Sequence, residues 1–109
     1  MTEENLKPAT AVRMKDQVQY AAGSVVSKTL YNQKTGTLTL FAFSEGQGLS
    51  EHTAPFDALV QILDGEGVLT IGGREVRAAE GEWVLMPANT PHALHAERAF
   101  KMLLTMFPA

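Results

Sequence analysis

The sequence predicts an all-β fold, a sandwich or closed barrel, and three observations carry that prediction. Runs rich in β-branched and aromatic residues recur at intervals of about eight to twelve residues, each bounded by turn residues. Two connections have hairpin chemistry: Asn32-Gln33-Lys34-Thr35-Gly36, and the pair Gly72-Gly73 between two apolar runs. At 109 residues the chain suits one domain with one enclosed core.

Met1 to Pro8 is polar and expected to fray. From Ala9 to Gly23 apolar residues are sparse and come in pairs two apart, Val12 with Met14 and Val18 with Tyr20, which predicts short, weak strands. Residues 1–24 thus read as an arm that packs on a neighbour. Val25–Tyr31 and Thr37–Phe43 read as a hairpin. In the second strand Leu38, Leu40 and Ala42 share one parity, and Thr37, Thr39, Phe41 and Phe43 the other, the pattern of a strand buried on both faces. Ala58–Leu63 is a third apolar run, closed by Asp64-Gly65-Glu66-Gly67. Val68–Ile71 and Arg74–Ala78 flank the Gly-Gly turn, and Glu82–Met86 precedes a loop bracketed by Pro87 and Pro91.

The last segment is ambiguous locally. Ala96, Ala99, Phe100, Leu103, Leu104 and Phe107 recur at three and four, and Thr90-Pro91 suits a helix start. A lone terminal helix would leave the preceding sheet without its closing strands. The expectation adopted is two strands, Ala93–Ala96 and Phe100–Phe107, decided by the resemblance described below.

Composition narrows the function classes. The chain is 45% apolar and 19% charged, with a net charge of −3 and basic residues scattered through the sequence, so the footprint of a nucleic-acid binder is missing. With no cysteine, disulfides, thiolate metal sites and cysteine nucleophiles are excluded. The polar start has no apolar h-region, and a cytoplasmic location is expected, with neither membrane nor nucleic acid as a partner.

Two histidines remain as the candidate site. His52 stands where the glycine-containing loop after Gly46 enters a β-rich run, and His92 closes the proline-bracketed loop forty residues later. Such junctions expose a side chain while the adjoining strand holds it rigid. Around them the sequence resembles the cupin superfamily of small jelly-roll, or double-stranded β-helix, barrels. Gly46, His52 and Gly65 fall on the register of the first cupin motif, G-x5-H-x-H-x3-E-x6-G. Gly81, Pro87 and His92 fall on that of the second, G-x5-P-x-G-x2-H-x3-N. The resemblance covers Val25 to Phe107 and implies a cupin barrel over residues 25–107.

Ala54 and Ala58 stand where the family carries its second histidine and its glutamate, Asn89 replaces the second motif's glycine, and Ala96 its asparagine. Of the four usual metal ligands, His52 and His92 remain. The resemblance implies a divalent metal, Zn, Fe, Mn or Ni, held by these two residues, because such an ion needs several nitrogen or oxygen ligands converging from neighbouring strands. A third ligand is open among Asp57, Gln61, Glu51, Glu45 and His95. Asp57 and Gln61 differ by odd steps from the Ala58 position and face the other way in a regular strand, unless a bulge after Pro55 intervenes. His95 lies three residues from His92 and faces opposite to it.

Phe41, Phe43, Trp83 and Met86 are candidate walls of an apolar small-molecule pocket, although core packing is the favoured reading of them and a jelly-roll interior is both at once. Pro87 and Pro91 stiffen the loop that delivers His92. Two functions are expected: a metal-dependent enzyme acting on a small ligand, or a metal-free sensor or carrier. Lys101–Phe107 is apolar on both parities, so one face fills the barrel and the other needs a cover. A second copy in an isologous dimer is the expected cover, and the resemblance implies that dimers are common.

Overall fold

A computed structural model describes residues 6–108. It contains nine strands: β1 (Val25–Gln33), β2 (Gly36–Phe43), β3 (Gly48–His52), β4 (Asp57–Asp64), β5 (Glu66–Ile71), β6 (Arg74–Ala79), β7 (Trp83–Met86), β8 (His92–His95) and β9 (Phe100–Phe107). They form two antiparallel sheets, in the orders β1-β2-β9-β4-β7 and β3-β8-β5-β6, closed face to face as a jelly-roll barrel. The hairpin between β5 and β6 turns on Gly72 and Gly73, with φ of 58° and 80°. Two consecutive positive φ angles are the conformation that twists in step with the strands, and glycine adopts them without a steric cost.

The core lies between the sheets and is built from alternate residues of each strand. Phe43, Val60, Ile62, Leu69, Leu94, Phe100 and Met102 are buried in it. The Phe43 and Phe100 rings stack with centroids 4.6 Å apart. A Cβ at position 67 would lie 2.9 Å from the Phe100 ring, so Gly67 gives that ring its place. Burial of this kind makes truncation of Phe100 to alanine cost about 3 to 5 kcal/mol.

The expected C-terminal strands are present, and β9 has the predicted bounds. Its helical periodicity arises because both of its faces meet apolar neighbours. Met102 belongs to the core, while Leu103 packs with Leu40, Leu30, Ala42 and Val18 on the outer face. Val18 comes from the arm. The short strands expected over Ala9–Gly23 are not formed; the segment carries a single 3-10 turn, Met14–Asp16. The arm crosses the outer face of the sheet, so alternate burial has no basis there: Val18 is buried while Val12 and Tyr20 are exposed. The neighbour it packs on is its own barrel. The Lys101 ammonium donates to the Lys15 carbonyl at 2.6 Å, and the Tyr20 hydroxyl donates to Asp64 at 2.5 Å. Of the start expected to fray, residues 1–5 lie outside the described residues.

Candidate functional site

His52 ends β3 and His92 begins β8, and the two residues are direct cross-strand partners. Leu49 pairs with Leu94, so three steps along β3 match two along β8. The extra residue is a bulge at Ser50-Glu51. In a uniform strand Leu49 and His52 would face opposite sides; the bulge turns both inward. His92 is aimed by its loop. Asn89, standing at the family's glycine position, has φ of 63°, a left-handed conformation that asparagine tolerates better than most residues. The loop is pinned from the β3–β4 side, because the Ala88 N–H donates to Asp57 Oδ1 and the Asn89 N–H donates to the Ala54 carbonyl, both at 2.8 Å.

The two imidazoles meet edge to face, with Nε2 atoms 3.1 Å apart. His52 Nδ1 lies 2.8 Å from the Ser50 carbonyl, and His92 Nδ1 lies 3.2 Å from the Thr90 carbonyl. A carbonyl can only accept, so these partners assign the ring proton to Nδ1 in both neutral rings. Each Nε2 then presents a lone pair to the other. A cation between them turns this repulsion into attraction. Two nitrogen ligands at about 2.0 to 2.1 Å from a tetrahedral ion lie about 3.3 Å apart, close to the spacing seen here. Burial lowers the pKa of His92 below its ordinary value, the Thr90 carbonyl opposes that shift, and the neighbouring His52 adds to it. His92 is 5% exposed, whereas His52 is open to solvent, so the pair runs from the barrel mouth inward.

Behind the pair lies a cavity of about 110 Å³ lined by Leu49, Ala54, Ala58, Leu94, Leu104, Met86, Met102 and Met106. Of the four expected wall residues, Met86 alone borders it. Phe43 is core, Phe41 stacks on Phe43, and Trp83 pairs with Gln61 on the outer face, where it is 59% exposed. Parity explains Trp83, which lies three residues before Met86 on a regular strand. The walls supplied by β9, Met102, Leu104 and Met106, are alternate residues on the face of Lys101–Phe107 expected to fill the barrel, although none of them is among the expected cavity walls.

None of the candidate third ligands joins the pair. Asp57 is exposed, pairs with Phe107 and serves the Ala88 amide. No bulge turns it inward, since β4 pairs regularly with β9 from Asp57 to Ile62. Gln61 faces outward beside Leu103; His95, Glu45 and Glu51 are exposed, Glu51 within the bulge. Among the described residues, no three His, Cys, Asp or Glu side chains form a group that could hold a metal ion.

Comparison with known proteins agrees with this architecture. A family model described as a cupin domain matches residues 39–106. The chain belongs to the cupin family. Within it, the cupin is 34% identical to a conserved protein of unknown function from Streptococcus pyogenes, with a TM-score of 0.91 over 100% of this chain and 96% of that one. A cupin 2 conserved barrel domain protein from Leptotrichia buccalis is 41% identical, with a TM-score of 0.83; the match covers 85% of this chain and 45% of that protein. A cupin superfamily protein from Desulfitobacterium hafniense is 25% identical, with a TM-score of 0.91 over the full length of both. No curated protein matches. Cupins bind metals or small ligands, and this member retains two imidazoles of the usual ligand set.

Proposed function

We infer that this cupin binds a small molecule in its barrel beside a metal ion held by His52 and His92. The observation that supports this reading is the pair of Nε2 atoms 3.1 Å apart, each ring held by a carbonyl on its other nitrogen. Such carbonyl partners fix the tautomer and orientation of metal-binding imidazoles. A bound ion would supply an open coordination position for an atom of the guest. The chain itself fixes the rings, excludes water with leucine and methionine walls, and sets the size of the guest. A cavity of about 110 Å³ is well below the roughly 300 Å³ at which pockets for drug-sized ligands begin, so the guest has few non-hydrogen atoms. A metal-dependent reaction on that guest is the first reading. The second is metal-free capture by a sensor or carrier, favoured by the apolar walls.

Metal analysis of protein prepared without an affinity tag or nickel column separates them. The expected result is close to one ion per chain, lost in His52→Ala and His92→Ala. Sub-stoichiometric metal with an affinity unchanged in both variants would overturn the metal reading and leave the second.

A homodimer and a cytoplasmic location complete the proposal. The arm covers one part of the outer face. Elsewhere Tyr31, Leu38, Thr105, Leu59 and Leu85 form a row across five strands, and Leu85 is 54% exposed beside Trp83. An isologous contact through this row would cover it. Light scattering should give a dimer mass that falls to a monomer in Leu85→Glu, and cell fractionation checks the location.

A further inference from the structure

We propose that His52, His92 and the thioethers of Met86 and Met106 form a site for a soft monovalent cation of the copper(I) type. The proposal rests on the reading that the histidine pair holds a metal, and goes further by naming which.

The carboxylate position of the family's motif is Ala58. On β4 this residue pairs with Met86 of β7 on one side and with Met106 of β9 on the other, so a methionine stands next to the vacated position in each neighbouring strand. Both line the cavity with the two histidines. Apart from the two imidazoles, the side-chain donor atoms of that lining are methionine sulfurs, those of Met86, Met102 and Met106. Thioethers and imidazoles suit copper(I), whereas ions that prefer oxygen need the carboxylates this lining lacks.

Charge points the same way. No acidic residue lines the cavity, so an ion there keeps its charge uncompensated. The cost of burying charge in an apolar medium rises with its square, which favours a single charge over a double one. Methionine has three flexible side-chain bonds and a polarisable sulfur, so it can move toward an ion without rebuilding the sheet.

The experiment is an anaerobic titration of the full chain with copper(I) against a chromophoric competitor, with a parallel zinc(II) titration and X-ray absorption on the copper form. The expected result is one copper(I) per chain with both nitrogen and sulfur bound to it. Met86→Leu/Met106→Leu, a nearly volume-conserving change whose folding is checked by thermal melting, should weaken copper(I) by about 10-fold or more while leaving zinc(II) unchanged. His52→Ala should weaken both. Copper without bound sulfur, or a double variant with unchanged copper affinity, overturns the thioether site. If zinc binds through the histidines in that case, the histidine reading stands alone. If neither ion binds, both fall.

Discussion

His92 and Lys101 are both buried polar side chains, 5% and 7% exposed, and the chain treats them in opposite ways. Lys101 is answered by the protein itself. Its ammonium donates to the Lys15 carbonyl and lies 5.0 Å from the centre of the Tyr20 ring, whose hydroxyl donates to Asp64. Burial and the Asp64 carboxylate both push the Tyr20 pKa upward, keeping that hydroxyl protonated as a donor. His92 has the Thr90 carbonyl on Nδ1, while its Nε2 meets only the Nε2 of the solvent-open His52. The first group closes the structure by fastening the arm to the barrel. The second leaves a valence for a guest. Burial of a polar group alone does not distinguish fold from function; the completeness of its partners does.

The largest expected effect is on metal binding. His92→Ala and His52→Ala should each lose about 100-fold in affinity, about 2.7 kcal/mol, and keep the fold by circular dichroism. An unchanged affinity would make the two buried groups alike. Next, Lys101→Ala should lower stability by about 2 kcal/mol in denaturant unfolding, because it removes the hydrogen bond to the Lys15 carbonyl and the contact with the Tyr20 ring and so frees the arm, while metal affinity stays as in the parent. Loss of metal in that variant would show that the two regions are coupled. Tyr20→Phe removes one hydrogen bond to a carboxylate at a half-open position and should cost about 1 kcal/mol in the same assay.

The smallest effect is the pH dependence carried by His92. Burial holds its folded pKa below the ordinary 6.5, so between these two values the unfolded chain binds more protons than the folded one. Its contribution to stability is therefore complete above about pH 6.5 and is lost as pH falls through the folded value. Unfolding of the metal-free protein at pH 5 and pH 7.5 should show a smaller difference in His92→Leu than in the parent, and equal differences would refute the assignment.

Much of the fold was legible because it depends on local chemistry. The Gly72-Gly73 turn, the hairpin of β1 and β2 and the bounds of β9 follow from residue type and turn geometry. The site was half legible. Motif spacing alone brings His52 and His92 together, and the positive φ of Asn89 accounts for the glycine usual at that position. The arm was not readable, since a segment lying across a sheet has no periodicity of its own. Val18 earns its burial from Leu30 and Leu40 far along the chain. For the same reason β9 imitated a helix: the arm makes its outer face apolar as well. Phe41 and Phe43 could not be separated from cavity walls by composition, because core and cavity draw on the same residue types and are told apart only by which strand row meets which.

The bulge in β3 has a consequence for how this site can change. Straightening the strand with its present residues would turn Glu51 toward the barrel and His52 toward solvent, exchanging an imidazole for a carboxylate without any substitution. Removing Ser50 or Glu51 would straighten it too, yet leave His52 opposite His92. The identity of the inward group is thus a matter of counting: the same residues present an imidazole with the bulge and a carboxylate without it, and loss of one bulge residue keeps the imidazole in place.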